Sequence, residues 1–161
     1  MELILKEGIK LVRADAGHFK KLYELFGFWL RAVGSLATEE ETLKEYERIL
    51  SEGVMFFIEC KDDIAGFISG RVCYHFWLNE KVAHEYLWFV SPFYRGEGIG
   101  PMLIHAFEAW ASSNGCKSVV ITPNKFGSDN PERGKHVLEK IDYEVYGYQM
   151  RKELRVPNAE E

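Results

Sequence analysis

The chain constrains its own fold most strongly at residues 90–103, VSPFYRGEGIGPML. A run rich in aromatic residues, HEYLWFV at 84–90, ends two residues before Pro92. Three glycines follow at alternate positions, and an apolar-periodic segment begins at once. The order is strand, tight loop, helix. Glycine costs roughly 1 kcal/mol against alanine in ordered structure, so Gly96, Gly98 and Gly100 at the mouth of a helix need a compensating reason. The usual one is close approach of a ligand to the backbone. A tight turn that binds nothing is the bland alternative.

The loop fits no common dinucleotide or nucleotide pattern. A P-loop needs a lysine after its last glycine, and Pro101 stands there. A GxGxxG fingerprint starting at Gly96 fails at its sixth position, again Pro101, and the loop sits mid-chain rather than after the first strand. What remains is Arg-x-x-Gly-x-Gly, made by Arg95, Gly98 and Gly100. Backbone N–H groups at a helix N-terminus form a concave anion site that suits a pyrophosphate. Pro101 does little harm there, because first-turn N–H groups have no intrahelical partner.

Around this loop the pattern alternates. GIKLVRA at 8–14 reads as a strand. Asp15 caps a helix with apolar positions Phe19, Leu22, Phe26, Trp29 and Leu30, and Thr38 with Glu41 forms a capping box for a second helix. VMFFIEC, IAGFISGRVCY and HEYLWFV then read as three consecutive strands, an antiparallel meander. The helix after the loop puts Leu103, Ala106, Phe107, Trp110 and Ala111 on one face and stops at Asn114-Gly115. KSVVIT is a strand parallel to the one before the loop. NPERGKHVLEKI is a helix capped by Asn130, and YEVYGYQMRKEL closes as a strand or hairpin. The expected architecture is mixed α/β (α+β): a central, mostly antiparallel sheet of six or seven strands with helices on both faces. Residues 1–161 form one domain, as the length suggests.

Composition matters mainly for what it excludes. The net charge of −5 argues against nucleic acid and tilts the reading slightly toward a cationic small amine. No apolar run is long enough to span a membrane, and the charged N-terminus has no signal-peptide core, so no membrane partner is expected. Cys60, Cys73 and Cys116 match no zinc or CxxC spacing. They read as free thiols in a reducing cytoplasm, with no metal.

The stretch VSPFYRGEGIGPMLI resembles the pyrophosphate-binding motif of the GNAT superfamily of acetyl-CoA-dependent N-acetyltransferases, and HVLEKIDYEVYGYQMRKEL resembles that family's closing segment. The resemblance covers nearly the whole chain. It implies acetyl-CoA as cosubstrate. Phe89 and Val90 would hold it at the strand end, Arg95, Gly96, Glu97, Gly98, Ile99 and Gly100 in the loop, and Asn130 at the head of the last helix. It also implies acetyl transfer to a primary amine of a small-molecule or peptide acceptor, by direct attack in a ternary complex. Homodimers are common in similar proteins. A non-catalytic acyl-CoA-binding or sensing module is the rival reading.

Two departures concern catalysis. The family often carries a tyrosine acid at the position of Leu138; Tyr143, Tyr146 and His136 lie nearby in sequence, and Tyr143 is taken as the candidate. The family also often has a glutamate where this chain has His84, with Glu85 next to it. Adjacent strand residues face opposite sides. By alternation His84 shares a face with Tyr86, Trp88 and Val90, which makes it the expected base. Trp29 and Trp77 are candidates for an acceptor pocket.

Overall fold

The computed structural model describes residues 2–6, 8–32, 34–76, 79–123 and 131–147. Among these, six strands form one sheet in chain order: β1 Glu2–Lys6, β2 Ile9–Arg13, β3 Gly53–Cys60, β4 Asp63–His75, β5 Glu80–Val90 and β6 Ser118–Val120. Each neighbouring pair is antiparallel except β5 and β6, which are parallel. The parallel pair is joined by α3, Ile99–Ser113. Two further helices, α1 Phe19–Ala32 and α2 Glu39–Glu52, fall between β2 and β3, and α4 Pro131–Glu139 follows β6. The mixed sheet with helices on both faces agrees with the expectation. β1 was not read as a strand from the sequence.

The helices start where their caps dictate. Asp15 accepts a hydrogen bond from Gly17 N at 2.9 Å and opens a short 3₁₀ turn, Ala16–His18, that leads into α1. Thr38 and Glu41 bond reciprocally at the head of α2, which satisfies two otherwise orphaned donors. At the end of α3, Gly115 takes a left-handed φ of +75°, which a glycine adopts without a Cβ penalty.

The two sheet faces bury separate cores. One holds Leu22, Leu25 and Phe26 of α1 and Tyr46 and Ile49 of α2 against Met55, Phe57, Phe67 and Phe89. The other holds Leu103, Ile104, Phe107 and Ala111 of α3 and Leu138 of α4 against Val54, Phe56, Ile58, Ile68 and Ala83. Alternate residues of β3 from Val54 to Ile58 serve opposite cores, the period-2 pattern of a strand covered on both sides, and β4 follows it except at Ala65, an extra residue opposite Ile58 and Glu59.

β5 breaks that alternation. Ser69 pairs with Leu87 and Gly70 with Glu85, so Tyr86 is an extra residue, a β-bulge. Tyr86 and Leu87 consequently both pack on the α1/α2 core, while Trp88 and Val90 pack on the α3 core and Phe89 is buried on the α1/α2 side. The bulge therefore overturns the expected face sharing. Counting back through it, Glu85 and Ala83 belong with Trp88 and Val90, and His84 faces the other way.

Candidate active site

β5 and β6 pair only between Val82–His84 and Ser118–Val120. From Glu85 onward the outer edge of β5 has no partner strand among the described residues, and the two chains diverge. Thr122, just past β6, donates its backbone N–H to Glu85 Oε2 at 3.3 Å across the mouth of the divergence. The opening widens into a cavity of about 260 Å³, floored by Trp88 and Val90 and walled by the glycine loop, Thr122, Pro123 and the first turns of α3 and α4.

The glycine loop itself is built from backbone. After Val90 a short 3₁₀ turn, Pro92–Tyr94, leads into it. Gly96 and Gly98 have φ of +95° and +81°, a region L-residues rarely enter. A Cβ at Gly100 would sit 3.2 Å from Cζ2 of Trp88. The three glycines thus have two physical reasons: two let the chain turn left-handed, and the third lets α3 approach the indole. Gly98 is the N-cap of α3, and no side chain caps this helix. Its first-turn N–H groups and positive dipole end therefore stand at the cavity without a capping carboxylate or hydroxyl. Arg95 Nε donates to the Val90 carbonyl at 3.3 Å, tying the loop to the strand end. Arg133 of α4 lines the same cavity. An uncapped helix N-terminus and two guanidinium groups suit a pyrophosphate, and the apolar floor suits an uncharged arm leading away from it.

Of the residues singled out from sequence, Val90, Arg95, Gly96, Gly98, Ile99 and Gly100 line the cavity. Phe89 lies in the opposite core, 3% exposed. Glu97 is exposed and does not line the cavity, and Asn130 lies outside the described residues. Glu85 is on the cavity side of β5, half-buried, and burial pushes its carboxyl up to about 7, opposed by the Thr122 hydrogen bond. His84 lies on the far face. Its imidazole is held below its ordinary value by burial, then by His75 and Arg71. Tyr143 packs against the α3 core, and its hydroxyl is buried without a hydrogen-bond partner among the described residues. Burial, and then the Glu108 carboxylate, raise its pKa. Leu138 is core, while His136 and Tyr146 are exposed. Trp29 packs on the α1/α2 core; Trp77 and residues 148–154 of the closing segment lie outside the described residues.

Sequence reasoning missed Trp88, Tyr94, Thr122, Arg133 and Gly134 as cavity residues. One of them carried a signal. An arginine in the first turn of α4 opposes the helix dipole, which favours acidic residues there. Tyr94 donates its hydroxyl to Asp63 at 3.1 Å, an anchor for the loop rather than a free group. Among the described residues, no cluster of three His, Cys, Asp or Glu side chains could hold a metal ion, and no helix is long and apolar enough to cross a membrane. All three cysteines are free.

Residues 19–130 match the Acetyltransferase (GNAT) family, and the chain belongs to it. No curated protein matches the chain. Among solved structures, the fold is similar to glucosamine-6-phosphate N-acetyltransferase from Arabidopsis thaliana (TM-score 0.71, 22% identity, 91% of this chain and 99% of that one). It is similar to an aminoglycoside N-acetyltransferase in complex with CoA (TM-score 0.73, 17% identity, 96% and 100%). It is also similar to a ribosomal-protein-alanine N-acetyltransferase from Brucella melitensis biovar Abortus 2308 (TM-score 0.72, 14% identity, 91% and 99%). The protein is an N-acetyltransferase of the GNAT family.

Proposed function

We propose that residues 1–161 act as one cytoplasmic domain that moves an acetyl group from acetyl-CoA to a primary amine by direct attack in a ternary complex. The observation that carries this reading is the divergence of β5 from β6. It leaves a strand edge without a partner strand among the described residues, between Glu85 and the uncapped N-terminus of α3. Acetyl-CoA supplies an activated acyl group. The residues that would hold it are Val90, Arg95, Gly96, Gly98, Gly100 and Arg133. The uncapped helix end and the arginines take its pyrophosphate, and the edge of β5 beyond His84, without a partner strand among the described residues, offers backbone groups to an amide-bearing arm.

Glu85 is the residue we assign to the proton. An amine must be neutral to attack, and a carboxyl near 7 is half ionised at neutral pH, a good match for a general base. Glu85 shares its face with Trp88 and Val90, while His84 does not. Tyr143 is given no chemical step, since its hydroxyl is buried in the α3 core, where burial and then the Glu108 carboxylate raise its pKa. A thiolate with a pKa near that of cysteine, about 8.5, can leave without a general acid. Three free thiols fit a reducing compartment.

The acceptor is an amine of a small molecule or peptide. The similar structures are named for an amino-sugar phosphate, aminoglycosides and a ribosomal-protein alanine, which spans both. The decisive experiment is release of free thiol from acetyl-CoA in the presence of an amine panel: polyamines, amino sugars, amino-acid derivatives and peptide N-termini. Acceptor-dependent thiol release supports the reading. Coenzyme binding with no release across the panel would favour the sensing module, a reading that the buried Leu138 at the family's tyrosine position keeps in contention.

A further inference from the structure

Four buried side-chain polar atoms have no hydrogen-bond partner among the described residues: Ser69 Oγ, His75 Nδ1, Trp88 Nε1 and Tyr143 Oη. Buried indole N–H groups are normally satisfied, so each such orphan calls for a reason. Only Trp88 belongs to the cavity wall. Its ring is held between two helices that both present glycine to it. A Cβ at Gly100 of α3 would lie 3.2 Å from Cζ2, and one at Gly134 of α4 would lie 3.9 Å from Cζ3. Neither glycine carries a side chain that could accept a hydrogen bond or block a small rotation of the indole.

We propose that Trp88 Nε1–H donates a hydrogen bond to an amide carbonyl of the coenzyme's pantetheine arm and so positions that arm along β5. This rests on the acetyl-CoA reading above and extends it to a residue outside the glycine loop. Trp88 stands two residues before Val90, on the same side of β5. The site is therefore graded. Cationic groups and helix N–H groups cluster at the loop end, where charge would sit, and a neutral donor, buried in the wall, lies two residues further along β5, beside the path of a neutral amide. The indole has one donor and no acceptor, so a carbonyl satisfies it completely.

The test follows the indole N–H directly. The chain has four tryptophans, so ¹⁵N-labelled protein shows four indole resonances, and that of Trp88 is assigned through bonds in the wild type. Coenzyme A should move the Trp88 resonance downfield and slow its exchange with solvent. The armless fragment, 3′-phosphoadenosine 5′-diphosphate, should bind without doing so. Trp88→Phe should weaken coenzyme A binding about tenfold, the worth of a neutral hydrogen bond, and leave the affinity for the armless fragment unchanged. If coenzyme A binds and the Trp88 resonance stays put, or the armless fragment moves it equally, the arm contact is wrong and the coenzyme reading stands. If neither ligand binds, both fall. The wild-type spectra decide the matter even if Trp88→Phe does not fold.

Discussion

The two faces of β5 around its bulge carry opposite kinds of polar chemistry. On the α1/α2 side, Tyr86 lies under both Arg48 and Arg71, with guanidinium carbons 5.2 and 5.3 Å from its ring centroid. Glu52 Oε2 meets Arg48 at 2.6 Å, Arg71 at 3.4 Å and the Tyr86 hydroxyl at 3.3 Å. Glu45 takes the rest of Arg48. The carboxylates and guanidinium groups of that cluster are matched one to one. On the α3 side, among the described residues, Glu85 has a single long hydrogen bond and the Trp88 indole N–H has none. A saturated network stabilises and holds its geometry. Polar groups left short of partners are a stability cost, and they stand where a ligand can complete them.

The contrast predicts a hierarchy of effects. The largest belongs to Gly98→Asp. Its left-handed φ is one that aspartate tolerates better than most residues, and the nearest atom to a new Cβ is Met102 Cε at 3.8 Å, so the fold should survive. A carboxylate at the α3 N-cap would face the pyrophosphate, and like-charge juxtaposition costs several kcal/mol. Calorimetric titration should show coenzyme A affinity falling by about a hundredfold or more; an unchanged Kd in a folded variant would remove the pyrophosphate from this loop.

Next comes Glu85→Gln, expected to lower kcat by ~10²-fold with coenzyme affinity intact, while His84→Gln stays within about threefold. The same carboxyl sets a pH signature in stability. Folded Glu85 titrates near 7 against an ordinary 4.5, so the folded chain binds this proton more tightly than the unfolded one. Its contribution is complete below about 4.5 and is lost as pH rises to about 7, on the order of 3 kcal/mol. Denaturant midpoints of the wild type should fall across that window, and Glu85→Gln should flatten the slope. The smallest effect belongs to the saturated face. Glu52→Gln loosens a half-exposed network, so it should cost less than about 1 kcal/mol of stability and leave coenzyme affinity alone. A large loss of coenzyme binding there would mean that the two faces are not functionally distinct.

The backbone of this site was legible because it is written in local rules. The Arg-x-x-Gly-x-Gly loop, the Thr38–Glu41 box and the stop at Gly115 each depend on a few adjacent residues, and the meander followed from the spacing of apolar runs. The bulge was not legible. A strand of alternating side chains carries no mark of an inserted residue, because the hydrophobic run Tyr86 to Val90 packs on both cores. The slip is set by how Gly70 and Ser69 of β4 pair with it. Thr122 and Gly134 were missed because only the tertiary path that sets the end of β6 and α4 around the cavity brings them there; Arg133, placed against the helix dipole, had a local mark.

The central claim is that the bulge turns Glu85, and not His84, toward the coenzyme. Side-chain ¹³C NMR titration of both residues, with and without coenzyme A, tests it without knowing the acceptor. The account predicts a Glu85 carboxyl that titrates near 7 and shifts when coenzyme A binds, beside a His84 imidazole that titrates below 6.5 and ignores the coenzyme. A Glu85 that titrates like an ordinary carboxylate and does not respond, with a His84 that does, would contradict it.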